Sequence, residues 1–154
     1  MQTGPVENKV VVFQVGKEEY AVTIAAVKEV QPWTQPTPVP EAPPMVEGVM
    51  NLRGDIIPVI DLGRLFRSTR LKAPEESKTI VMELDGQQAG FVVDDVTEVH
   101  TVTAGQVSPP SPVLRTQGGN AQMISGIIKM GENRLVVLVE PRRILANAQL
   151  SSSH

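Results

Sequence analysis

Two histidines, His100 and His154, and the adjacent carboxylates Asp94 and Asp95 are the residues of this chain whose types could support acid–base or metal chemistry. A hydrolytic site needs a base within hydrogen-bonding reach of a nucleophile and a third group to orient that base, while a metal site needs several convergent ligands. Cysteine is absent, which removes thiolate ligands, thiol nucleophiles and disulfides. His100 stands in the alternating run Val99-His100-Thr101-Val102, where the polar member is expected to face solvent. Neighbouring residues on a strand point to opposite faces, so Asp94 and Asp95 are better suited to turn hydrogen bonds than to sharing a proton. No glycine-rich phosphate loop occurs. A hydrolytic or small-molecule-binding β-barrel using Asp94, Asp95 and His100 is therefore the weaker alternative. No catalytic residue, cofactor or metal site is expected.

Two further polar residues interrupt apolar surroundings: Glu29 in Val27-Lys28-Glu29-Val30, and Arg53 in Asn51-Leu52-Arg53-Gly54. Pattern alone makes them a solvated strand face and a turn charge. The stretch PTPVPEAPP, residues 36–44, has the composition of a polyproline ligand, but it lies between apolar runs and reads as a stiff inter-strand loop. The chain has 154 residues, 41% hydrophobic and only 3% aromatic, so a core must come from Val, Ile, Leu, Met and Ala, which favours strands. A net charge of -3 with both signs interspersed argues against a surface that tracks nucleic-acid phosphates and leaves proteins as the default partners. No segment reaches the roughly 18–20 continuous apolar residues of a membrane span, and Met1–Lys9 lack the apolar stretch of a signal peptide, so a cytoplasmic protein is expected.

The elements that would position these residues are written twice. VVVFQVGKEEYAVTIAAVKEV, residues 10–30, aligns without a gap on TIVMELDGQQAGFVVDDVTEV, residues 79–99, bringing Val12 onto Val81, Val27 onto Val96 and Glu29 onto Glu98. VEGVMNLRGDIIPVIDLGRLF, residues 46–66, then aligns on ISGIIKMGENRLVVLVEPRRIL, residues 124–145, with Gly48 on Gly126 and one extra residue in the second turn. Each half offers about five short strands, too few for a sandwich but suited to a small closed barrel. Hairpins are expected at Gly16–Glu19 and at Asp85-Gly86, the latter a type I′ signal. Gly48, Gly54 and Gly126 are expected at structural turns. Short helices are expected at Asp61–Phe66, with Asp61 as N-cap, and from Pro141 onward. The expected organisation is one domain over 8–148, with repeats at about 9–67 and 78–145, exchange of strands between the barrels left open, and a disordered tail at 149–154.

Three segments, KEEYAVTIAAVKEV (17–30), GVMNLRGDIIPVIDL (48–62) and GFVVDDVTEV (90–99), carry a resemblance in order and type. From about Val10 to Leu145 the chain is similar to the CheW chemotaxis coupling family, whose domain also occurs as the regulatory domain of the histidine kinase CheA. The resemblance implies two SH3-like five-stranded barrels related by duplication. It also implies a non-catalytic adaptor joining the cytoplasmic tips of methyl-accepting chemoreceptors to CheA in membrane-associated arrays, without membrane insertion. A scaffold of another chemosensory pathway, controlling pili or gliding, is the alternative within the class. At 154 residues without a receiver domain or kinase core, the stand-alone coupling protein is favoured over fused versions. Receptor contact in the family uses a groove between barrels, and the matching positions are Val27, Glu29 and Arg53. Kinase contact in the family pairs the ends of like barrels; the segment Gln106–Leu114 takes the place of a family contact loop, with Val113 and Leu114 as the candidate contact residues. There the run Pro109-Pro110-Ser111-Pro112 departs from the bulky residues usual at that place.

Overall fold

β-Branched runs bounded by tight turns become strands throughout the residues that the computed structural model describes, 7–66, 73–109 and 123–150. Strands β1 (Glu7–Val15) and β2 (Glu18–Thr23) form a hairpin turned by Gly16 and Lys17, tighter than the four residues expected. The chain continues through β3 (Val27–Pro32), β4 (Val46–Leu52), β5 (Asp55–Asp61) and helix α1 (Leu62–Leu65). Strands β6 (Lys78–Leu84) and β7 (Gln87–Val93) enclose Asp85 at φ 53° and Gly86 at φ 83°, both left-handed as a type I′ turn requires. Then come β8 (Asp95–Thr103), β9 (Val107–Ser108), β10 (Ile124–Lys129), β11 (Leu135–Val139) and helix α2 (Pro141–Leu150). Asp61 caps α1, its Oδ1 accepting from the Gly63 N–H at 2.9 Å, and Pro141 opens α2. Because α2 continues to Leu150, it includes two residues of the expected tail.

The strands form two sheets, ordered β8-β1-β2-β11-β10-β9 and β3-β6-β7-β5-β4. In the first, the edge strands β8 and β9 are consecutive in the chain and joined by the 3-10 turn Ala104–Gln106, which folds the sheet onto itself. In the second, the segment after β3 returns to the far edge, where Thr37 bridges Val49 of β4. These are the two SH3-like barrels of an all-β protein. The first sheet counts six strands because the 3-10 turn splits off β9.

Neither sheet comes from one half of the chain. Barrel one holds β3, β4 and β5 with the hairpin β6–β7; barrel two holds β8 to β11 with the hairpin β1–β2. The antiparallel pair β3–β6 is matched by β8–β1, and the parallel pair β5–β7 by β11–β2. The irregularities match too. Lys28 is bulged out between Val27 and Glu29, and Thr97 between Val96 and Glu98. Glu47 and Ser125 are bulged out just before Gly48 and Gly126. Those two glycines therefore lie inside strands, not at turns as expected. The requirement at Gly48 is close approach, since a Cβ there would meet the Thr37 carbonyl oxygen at 2.1 Å. Gly54 does lie in a turn, between β4 and β5, at φ 95°.

Apolar burial follows the same plan. Val10, Val12, Ala21 and Ile128 fill barrel two, and Leu52, Ile57 and Val81 fill barrel one. The largest cluster lies between the barrels and draws Phe13 and Val15 from β1, Ile80 and Met82 from β6, Phe91 from β7, and Leu62 and Ile144 from the helices. β1 and β6 are thus buried on both faces, which is why each reads as an unbroken apolar run. Phe66, at the end of α1, stacks on Tyr20 with ring centroids 4.7 Å apart, and Tyr20 stacks in turn on Phe13 at 5.9 Å.

Candidate docking surface

Glu29 and Arg53 lie 24 residues apart in sequence, and the closure of barrel one brings them together. The bulge at Lys28 sets Glu29 on β3 opposite Val81, with its side chain 23% exposed. Arg53 sits at the tip of the β4–β5 turn with φ 51°, a left-handed conformation held by Asn51, whose Oδ1 accepts from the Gly54 N–H at 2.8 Å. From there its guanidinium grips Glu29 as a fork: Nη1 donates to Oε2 at 2.5 Å and Nη2 to Oε1 at 3.0 Å. Gln31 adds a third donor to Oε1 at 3.1 Å. Hydrogen bonds from Arg53 first, then from Gln31, draw the Glu29 carboxyl down to about 2, and the same pairing raises Arg53. A polar chain crosses the same barrel: Lys28 Nζ donates to Gln88 Oε1 at 3.0 Å, and Gln88 Nε2 to Asp55 Oδ2 at 3.2 Å.

The structure thus joins Glu29 and Arg53 directly. The Arg53 fork is engaged by Glu29 within the chain itself. Val27 pairs with Met82 and packs half-buried against the shared core, so it supports β3 more than it offers free surface. Exposed apolar surface comes instead from Ile56, 64% exposed, and Val30, 41% exposed. Sequence reasoning passed over both. The signal was the pair Ile56-Ile57 at the start of β5, where alternation sends one isoleucine inward and the other out.

A second cluster occupies the matching place on barrel two. Arg134, before β11, donates from Nε and Nη2 to Glu19 at 2.8 Å each, and from Nη2 to Glu98 at 2.5 Å. The Arg134 hydrogen bonds lower the Glu19 carboxyl, and both carboxylates raise Arg134. Glu98 is the repeat partner of Glu29. Val99 and Leu135, 56% and 60% exposed, stand where Val30 and Ile56 stand in barrel one. The alignment of Glu29 on Glu98 pointed to this cluster, but Arg134 was hidden by the extra residue in its turn.

Val113 and Leu114 lie outside the described residues. His100 is half-buried on β8 opposite Val10, not exposed as expected. Asp94 is buried and accepts from the Gly16 N–H at 2.9 Å, while Asp95 accepts from the Val96 N–H. Both aspartates therefore make the turn and strand-end bonds expected of them. His100 lies six positions beyond Asp94 along extended chain, on the order of 20 Å. Among the described residues no three His, Asp or Glu side chains gather to hold a metal ion, and no helix is long and apolar enough to cross a membrane.

Arginine-clasped carboxylates on both barrels, together with exposed isoleucine, leucine and valine, are the surface features of this two-barrel all-β fold. The profile of the CheW-like domain matches residues 9–149, and the chain belongs to that family. The chemotaxis protein CheW of Bacillus subtilis is 33% identical over 139 residues, 90% of this chain and 86% of that protein. The chemotaxis protein CheW of Klebsiella aerogenes is 31% identical over 146 residues, covering 95% and 86%. Among solved structures, the scaffolding protein TtCheW of Thermoanaerobacter tengcongensis superposes with a TM-score of 0.78 at 35% identity, covering 88% of this chain and 90% of that one.

Proposed function

We propose that this chain is a non-catalytic chemotaxis adaptor, cytoplasmic and recruited to membrane-associated receptor arrays. There it couples methyl-accepting chemoreceptors to the regulatory domain of the histidine kinase CheA. The family and the names of its relatives support the class of function. The observation that carries the site is the Glu29–Arg53 fork, an ion pair at the end of a barrel whose arginine is 68% exposed. A receptor helix would meet the Glu29–Arg53 charges with its polar rim and lay its apolar side against Ile56, three residues beyond Arg53. The reading treats residues 8–148 as a single functional unit. It assigns receptor contact to Val27, Glu29 and Arg53, and kinase contact to Val113 and Leu114.

Calorimetric titration tests it. The chain is expected to bind both the CheA regulatory domain and a receptor cytoplasmic tip from the same genome with one-to-one stoichiometry. Arg53→Glu places a carboxylate beside Glu29 and should weaken receptor binding about tenfold or more while leaving the circular dichroism spectrum unchanged. Equal affinity for variant and parent would remove Arg53 from the site. Absence of any binding to the kinase domain would move the chain to another chemosensory pathway.

A further inference from the structure

Each half of this chain is an incomplete protein. Without residues 73 onward, the β1–β2 hairpin loses β8 from one edge and β11 from the other, and β3 and β5 lose the hairpin that lies between them. The core between the barrels needs both halves, since Phe13 and Leu62 come from the first and Phe91 and Ile144 from the second. Directed bonds cross the same divide. Asp94 receives the Gly16 N–H, Thr97 Oγ1 donates to the Val12 carbonyl at 3.2 Å, the Trp33 N–H donates to the Ser77 carbonyl at 3.0 Å, and Arg134 clasps Glu19. The halves are thus specific partners for one another, with unpaired sheet edges, apolar faces and charges that match only in the combined fold. One covalent connection joins them, between Phe66 and Ala73.

We propose that a second copy of this chain supplies the missing half, giving an exchanged dimer. Each two-barrel unit of the dimer combines residues 7–66 of one copy with residues 73–150 of the other. No new interface is required, because every contact across the divide is one the monomer already makes. Only the connection passes from one unit to the next. Each unit keeps a complete Glu29–Arg53 surface, so the dimer is a two-headed form of the molecule. That last consequence rests on the docking reading above; the exchange itself does not.

The test uses the full chain, unfolded in denaturant and refolded at about 1 mM and at about 1 µM, since exchange between copies follows mass action. Light scattering after size exclusion should show a species of twice the monomer mass in the concentrated sample and monomer in the dilute one, with the same circular dichroism. Cysteine is absent, so engineered thiols report cleanly. Lys9 on β1 faces Thr101 on β8 and both are exposed. Chains carrying Lys9→Cys alone and Thr101→Cys alone, refolded together and oxidised, should cross-link between copies in the concentrated sample. The double variant refolded dilute should close the same disulfide within one chain. Monomer mass at both concentrations would overturn the proposal. So would a dimer whose mixed chains stay uncross-linked while the double variant closes. Loss of receptor binding in an otherwise exchanged dimer would count against the docking reading alone.

Discussion

Replacing Gly48 with alanine should be among the most damaging single-methyl additions in this protein, and the structure gives the size of the effect. The new Cβ would stand 2.1 Å from the Thr37 oxygen, 2.7 Å from its carbonyl carbon and 3.2 Å from Pro38 Cα, all backbone atoms that no side-chain rotation can clear. Thr37 is tied to Val49 by two hydrogen bonds, Thr37 N to Val49 O and Val49 N to Thr37 O, both 2.9 Å. Making room therefore breaks the bridge that closes barrel one, at about 1 kcal/mol per bond. Alanine at the φ of 152° found here adds roughly 1–3 kcal/mol of backbone strain. The expected loss is about 3–5 kcal/mol. Gly54→Ala separates strain from crowding. Its φ is 95° but nothing lies within 4 Å of its Cβ, so backbone strain is the whole effect. We expect a cost of about 1–2 kcal/mol. Gly126→Ala is the reverse case, crowded by Val107 Cγ1 at 3.0 Å and the Ser108 oxygen at 3.1 Å without a left-handed φ. It should cost about 1–2 kcal/mol as β9 shifts. Urea unfolding followed by Trp33, the only tryptophan, reads all three variants. A midpoint for Gly48→Ala no lower than that for Gly54→Ala would refute the close-approach argument.

Carbon-detected NMR of Glu29 should place its titration near pH 2, and Arg53→Gln should move it back toward 4.5. Because the folded value lies below the unfolded one, the stabilisation from this pair is complete above about pH 4.5 and is lost as pH falls toward 2. Phe91→Ala opens the fully buried core between the barrels and should cost about 3–5 kcal/mol by urea melt, whereas Val99→Ala on the surface should stay within about 0.5 kcal/mol. Asp94→Ala strands the buried Gly16 N–H and should lower stability by about 1–3 kcal/mol, with hydrogen exchange at Gly16 accelerating first.

Much of this fold was legible because its signals are local. Hairpins at Asp85-Gly86, the Asp61 cap and Pro141 at a helix start all depend on residues a few positions apart, and each appears where it was read. The two bulge glycines were misplaced for a complementary reason. What Gly48 requires is set by Thr37, eleven residues earlier, through a loop crossing that no local pattern encodes. The site divides in the same way. Glu29 and Arg53 could be named from motif, but their mutual fork depends on barrel closure, and the outward position of Ile56 on knowing which isoleucine faces in. Arg134 stands at the place of Asp55, just past the turn where the two repeats lose register, and the opposite charge of its counterpart gave no sign of it.

The exchange of hairpins also decides how damage spreads. Glu29 lies on β3, whose ladder neighbour β6 is contributed by the other half of the sequence; Glu98 lies on β8, whose neighbour β1 is contributed by the first half. β1 and β6 each bury one face in a barrel interior and the other in the shared core. Neither charged surface can then lose its support without exposing apolar side chains of both barrels, which is unfavourable at roughly 25 cal/mol per Å² of apolar area. Two structurally independent barrels would melt separately, and a substitution in one would leave the other's surface intact. Here Gly48→Ala, placed in barrel one, should lower the unfolding midpoint reported by the Arg134 cluster in barrel two by the same amount as that reported by Trp33. Hydrogen exchange of the β8 and β11 amides measures the first, and a difference between the two midpoints would show that the barrels unfold as separate units.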